Sequence, residues 1–180
     1  LAGDRADTPV EPASLTKLMT AYIVFREIER DTIEKDDMVV VSEKAWRLEG
    51  SRMFIEAGEK VRIEDLLMGL IVQSGNDSAV ALAEHVAGSE EGFADLMNQT
   101  AAELGMVNSH FVNSAGMPHP DHYTTARDVT LLTRAIIDQQ PDHYAMYAIR
   151  EFTWNNITQK NRNPLLGRDS SIDGVKTGHT

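Results

Sequence analysis

Two apolar stretches, Ile63 to Val72 and Ala79 to Ala87, follow one another with a polar break at Gln73-Ser74-Gly75-Asn76 between them. Both read as buried helices, and Gly88 supplies a C-cap for the second. Ser74 therefore sits between two helices of the core. At 180 residues the chain can bury about two-thirds of its unfolded surface, which suits one domain and is too short for two. A single core spanning residues 1–180 is expected.

The remaining elements follow from spacing and turn chemistry. Pro12-Ala13-Ser14 leads into Leu15, Leu18, Met19, Tyr22, Ile23 and Phe25 at helical intervals, which puts Ser14 at or near a helix N-terminus. Met38 to Val41 is β-branched and short, a strand, and a long polar loop follows from Ser42 through Gly58. Ser89 with Glu90 and Glu91 starts a helix that ends at Gly105, and Thr125 starts another that runs to Asp138. Phe152, Thr153, Trp154, Ile157 and Thr158 favour strand, and Ile172 to Thr177 reads as a last strand. The class is α+β, with strands toward the ends and helices between.

Composition excludes several functions. A net charge of -11 with no basic cluster disfavours nucleic acid, whose phosphates must be neutralised by Lys and Arg. With no cysteine there is no disulfide, thiolate metal site or thiol nucleophile. The longest apolar run, Leu66 to Val72, is far short of the roughly 20 residues that cross a bilayer. The first residues lack the basic-then-apolar pattern of a signal peptide.

Three motifs occur once each, in the order Ser14-Leu15-Thr16-Lys17, Ser74-Gly75-Asn76 and Lys176-Thr177-Gly178. A Ser-x-x-Lys alone arises by chance about once in a chain of this length, and alone it would be a helix cap beside a solvated lysine. The two tripeptides are each far rarer, so the ordered set is not accidental. Ser14 at a helix N-terminus gains from the positive end of the dipole, and Lys17 lies one turn along on the same side. A lysine there is disfavoured as a cation, so a neutral Lys17 can accept the Ser14 proton as general base. Ser74 offers a hydroxyl for proton relay, and Asn76 an amide that can hold Lys17 and donate to a substrate carbonyl. Lys176 brings positive charge, Thr177 a hydroxyl for a substrate carboxylate, and Gly178 room for an extended substrate backbone.

Together with Pro12 to Thr20 around the first motif, Gln73 and Asp77 around the middle one, Asn161-Arg162-Asn163 and the run Asp173 to Thr180, these residues resemble the low-molecular-weight penicillin-binding proteins, serine-type D-alanyl-D-alanine carboxypeptidases. The resemblance covers essentially the whole chain. It implies the β-lactamase/penicillin-binding transpeptidase-like fold, a helical region with an antiparallel sheet incomplete in this chain. It also implies removal of the terminal D-alanine from peptidoglycan pentapeptides through an acyl-enzyme, covalent inhibition by β-lactams, and no cofactor. The oxyanion hole would be the backbone N–H groups of Ser14 and His179. A periplasmic or cell-envelope location follows, with any membrane contact made by segments outside this chain. Because family members carry further strands at both ends, the resemblance presents this chain as a catalytic domain truncated at each end, less stable and less active than the whole.

Of three alternatives, one lacks its motif and two stay open on the residues. A class A β-lactamase would need a Glu-x-x-Leu-Asn on a loop, and the chain has none, since Glu64 meets Leu67 at that offset but Met68 follows. An endopeptidase would use the same machinery, and a binding module would use the Lys176-Thr177-Gly178 edge without turnover. His119-x-x-His122 lies in a Pro-rich stretch without a zinc pattern and reads as a surface loop, so no metal is assigned. Arg162 is either a cation near Lys176 or half of a structural ion pair. The Trp46 to Glu59 stretch resembles the family's loop beside the cleft, with Met53 and Phe54 packed beneath it.

Overall fold

A computed structural model describes residues 3–179. A 3-10 turn, Ala13–Leu15, leads into helix α1, Thr16–Glu29, and Thr16 through Phe25 are all buried. A second core helix, α4, spans Asn76–Ala87 and buries every residue from Asn76 to Ala83. Neither has a solvent stripe along its first turns. That is the mark of a helix wrapped by others, and α4 packs against α1 and against α5, Glu90–Glu103. Helix α6, Ala126–Gln139, also packs against α1 and buries Leu132, Ala135 and Ile136.

The helix ends obey the expected capping rules. Ser89 accepts from the Gly92 N–H at 3.0 Å and starts α5. Thr125 accepts from Asp128 N–H at 3.2 Å and starts α6. Gly88 takes the left-handed conformation, φ 77°, that ends α4.

Two small antiparallel hairpins flank the helices. Strand β1, Met38–Val40, pairs with β2, Lys60–Arg62, with Val39 opposite Val61, and this pair faces the core. Strand β3, Glu151–Trp154, pairs with β4, Ile157–Lys160, around Asn155-Asn156. Both asparagines have positive φ, 45° and 62°, as a two-residue turn matched to strand twist requires.

Four expectations are corrected. The polar loop after β1 contains a short helix, α2, Glu43–Trp46, because Ser42 accepts from Ala45 N–H at 3.0 Å and caps it. The Ile63–Val72 helix is α3, Ile63–Met68, continued by a wider π turn, Gly69–Gln73. The next helix starts at Asn76 rather than Ala79, because the polar side chains of its first turn find buried partners. The strand foreseen at Ile172–Thr177 is unpaired among the described residues, and a strand exists only through its neighbour's hydrogen bonds. The short helix α7, Pro141–Tyr144, packs on α6 and reaches this extended segment through Tyr144 Oη, which donates to Asp173 Oδ1 at 2.8 Å, while β3–β4 lies against the π turn.

Because Leu82 has no exposed surface in a helix packed against α1, α2, α3 and α5, Leu82→Ala should cost about 2–5 kcal/mol in urea unfolding. A loss below about 1 kcal/mol would mean α4 is not the centre of the core.

Candidate active site

Ser14 lies in the 3-10 turn ahead of α1, half-buried, after an Ala13 held at φ 46°. A positive φ is costly for alanine, so something must hold this turn. Gly116, φ 83°, lies so close that a Cβ there would overlap the Ala13 carbonyl oxygen and press on Thr16 Oγ1. Thr16 Oγ1 is also 2.7 Å from His122 Nε2. Val112 N–H donates to His122 Nδ1 at 3.1 Å, which leaves the imidazole proton on Nε2, directed at Thr16. Burial, then the neighbouring His110 and His119, hold His122 down to about 4, so the ring is neutral at physiological pH. The expectation of a surface loop thus fails for His122, which is 2% exposed and supports the turn that carries Ser14.

Lys17 is 1% exposed. Its Nζ lies 2.8 Å from Asn76 Oδ1, 2.6 Å from the Ala115 carbonyl and 3.2 Å from Ser14 Oγ. A neutral amine has two N–H donors and one lone pair, and here two pure acceptors take the donors while the lone pair faces the Ser14 hydroxyl. Burial pushes the lysine down to about 7, the Lys176 charge assists, and Asp77 opposes. Nothing in the residue pattern signals the Ala115 carbonyl, because a backbone oxygen has no sequence signature.

Ser74 closes the π turn in the left-handed region, φ 63°, and is 4% exposed. Lys176 Nζ donates to its Oγ at 2.9 Å. Lys176 is half-buried and is lowered to about 8, by burial first and then by the Arg162 charge. Asn76 Nδ2 donates to the Glu49 carbonyl at 2.7 Å, and its other contact is the weakly accepting Met117 sulfur at 3.6 Å. One amide proton is therefore poorly used and faces the cleft.

Ser14, Ser74, Asn76, Thr177, Gly178 and His179 line one cleft of about 890 Å³. A Cβ on Gly178 would lie 3.2 Å from Pro12 O and 3.1 Å from Leu15 Cγ, so the glycine also lets its own segment lie against the Ser14 turn. Arg162 is exposed at the rim and binds neutral oxygens, its Nε reaching the Gln73 carbonyl at 3.4 Å and its Nη2 reaching Ser51 Oγ at 3.4 Å. Of its two readings, the cation near Lys176 matches these contacts better than an ion pair. Glu49, Gly50 and Ser51 place the loop after α2 on the cleft wall, as expected. Met53 is buried beneath that loop, whereas Phe54 is 43% exposed under the Arg52 guanidinium and corrects the reading that both pack inward.

A serine facing a buried lysine, with a Ser-x-Asn turn and a Lys-Thr-Gly segment on the same cleft, defines the Ser-x-x-Lys class of acyl-transfer site. All of residues 1–180 match the D-alanyl-D-alanine carboxypeptidase family, peptidase S11, and the chain belongs to it. It is 46% identical over 187 residues to D-alanyl-D-alanine carboxypeptidase DacC of Escherichia coli, covering 100% of this chain and 47% of that protein. The crystal structure of carboxypeptidase DacD from Francisella tularensis superposes with a TM-score of 0.98 at 35% identity, covering 100% of this chain and 56% of that one. Penicillin-binding protein D2 of Listeria monocytogenes, solved in its ampicillin-bound form, gives 0.87 at 27% identity, over 98% and 72% of the two chains. The chain thus spans about half the length of the curated relatives it matches.

Gly116→Ala should both strain the backbone and drive a methyl group into Ala13, whereas Gly58→Ala, at φ 82° with open space around it, carries the backbone strain alone. In thermal melts Gly116→Ala should cost at least about 2 kcal/mol more than Gly58→Ala. Equal costs would show that the Ser14 turn does not lean on Gly116.

Proposed function

We propose that the chain carries the acyl-transfer centre of an exported serine D-alanyl-D-alanine carboxypeptidase acting on peptidoglycan stem peptides in the cell envelope. The observation that supports it most is the Lys17 amine, dry, lowered to about 7 and aimed at Ser14 Oγ. In this reading Ser14 Oγ attacks the penultimate D-alanine carbonyl as Lys17 Nζ takes its proton. The backbone N–H groups of Ser14 and His179 receive the oxyanion. The C–N bond breaks, and the proton passes to the leaving amine through Ser74 Oγ, which Lys176 orients at 2.9 Å. Lys176 and Thr177 hold the terminal carboxylate, with Arg162 adding positive charge at the rim. Water then cleaves the ester, releasing the shortened peptide and restoring Ser14.

Relatives bear on the substrate. The similar DacC is named a D-alanyl-D-alanine carboxypeptidase, and the structure of the Listeria relative was solved with ampicillin bound. By that likeness β-lactams should acylate Ser14 here. Residues 1–180 are read as a catalytic domain, and no helix among the described residues is long and apolar enough to cross a membrane.

A fluorescent penicillin followed by intact mass should give one adduct that disappears in Ser14→Ala, while D-alanine is released from a D-Ala-D-Ala peptide by the unmodified chain only. Labelling that persists in Ser14→Ala would end this reading. Binding of the peptide with neither adduct nor D-alanine would favour the non-catalytic module, and cleavage of cross-linked peptides alone would favour an endopeptidase. Lys17→Ala should slow acylation by about 10²–10⁴-fold.

The pH profile has a determined sign. Acylation needs Lys17 without its proton and Lys176 with one, so the rate should climb as pH rises through about 7 and fall as it rises through about 8. A flat profile between pH 6 and 9 would remove both lysines from proton transfer.

A further inference from the structure

Asp77 has no exposed surface. Backbone amides take up its carboxylate: Oδ1 accepts from Met53 N–H at 3.1 Å and Ser78 N–H at 2.9 Å, and Oδ2 from Phe54 N–H at 2.9 Å and Ile55 N–H at 3.4 Å. A buried carboxylate is tolerable only when so satisfied, and the first turn of α4 adds the favourable end of a helix dipole. Three of these amides belong to consecutive residues of the loop that walls the cleft, where Met53 and Ile55 bury their side chains in the core. Phe54 sits there in the left-handed region, φ 69°, with its ring half out in solvent.

The same loop grips the residue next to Asp77. The Ser51 carbonyl accepts from Asn76 N–H at 2.7 Å, and the Glu49 carbonyl accepts from Asn76 Nδ2 at 2.7 Å. With its Nδ2 held, Asn76 can turn only its oxygen to Lys17, at 2.8 Å. The Ser-Asp-Asn form of the motif carries an acid between serine and asparagine. Here that position is Gly75, and a Cβ on it would lie 2.7 Å from Ser78 Oγ and 2.8 Å from Asp77 Oδ1, so the Asp77 carboxylate and the Ser78 hydroxyl together fill that space.

We propose that Asp77 is a positioning residue of the acyl-transfer site, its carboxylate fastening the 49–55 loop to the first turn of α4 so that Asn76 is clamped against Lys17. This rests on the reading of Ser14 and Lys17 given above. Its charge has a second consequence. Lys17 is faced by Lys176 from the extended C-terminal segment and by Asp77 from α4, while Glu11, Glu49, Arg162 and His179 line the cleft beyond. Asp77 holds the Lys17 proton against burial, so losing its charge lowers Lys17 further and moves the rising limb of acylation to lower pH. A scaffold role alone would leave that limb in place.

Hydrogen exchange of the unmodified protein, D77N and D77E, alongside acylation–pH profiles, separates charge from position. In the unmodified protein the amides of Met53, Phe54 and Ile55 should exchange at least about 100-fold slower than unprotected loop amides. D77N should lose that protection while the interiors of α1 and α4 keep theirs, acylate about tenfold or more slowly, and show the earlier rising limb. D77E keeps the charge and misplaces it, so it should lose protection and rate while the limb stays. Free exchange of the three amides in the unmodified protein, or a D77N with unchanged exchange, rate and limb, would overturn the proposal. Exchange reads the anchor without acylation: an unmodified chain that forms no adduct counts against the Ser14 reading, whereas unchanged exchange in D77N counts against Asp77.

Discussion

The site is organised around a lysine nitrogen that water does not reach. Removing an amine from solvent favours its neutral form, and the second lysine beside it pushes the same way. A neutral Lys17 still needs its two N–H groups satisfied. One goes to Asn76 on α4 and the other to the Ala115 carbonyl in the segment between α5 and α6. One buried side chain thus ties three distant stretches of chain together and orients the lone pair left over. Were any of the three to move, the amine would lose a partner, rotate, or take on a proton, and its hold on Ser14 would go with it.

Around that nitrogen the backbone adopts conformations that non-glycine residues avoid. Ala13, Phe54 and Ser74 all have positive φ, at 46°, 69° and 63°, and all lie at the cleft or in the loop that walls it. Each costs on the order of 1–3 kcal/mol, which the surroundings must hold in place. The surroundings are identifiable: Gly116 and the Thr16–His122 pair at Ala13, Asp77 at Phe54, and the Gly75 N–H to Gly69 carbonyl bond of 3.0 Å at Ser74. Strain and support occur as pairs, and four of the supporting residues, Gly69, Asp77, Gly116 and His122, lie outside the three motifs.

Much of the fold was legible because it depends on local rules. Ser89, Gly88 and Thr125 mark helix ends through hydrogen bonds and conformations that these residue types make wherever they stand. The Ile63–Val72 stretch was legible as helix but not as a helix that widens at Gly69, since the periodicity of apolar residues does not distinguish the two. His122 illustrates the converse. Its Pro-rich neighbourhood looks like surface, and only the packing of residues 110–123 against α1 shows that the ring is buried and bonded to Thr16.

The sequence by itself determined the class of elements, the three motifs and their order, and hence the kind of chemistry, because residue types and short spacings carry those choices. What only the tertiary structure decided is which atoms meet. Lys17 and Asn76 stand 59 positions apart, and Ser74 and Lys176 stand 102 apart. The Ala115 and Glu49 carbonyls that complete the site are backbone atoms, which every residue possesses alike. Long-range packing alone selects among such identical groups, which is why the sequence names the reactive side chains while the fold names the partners that tune them.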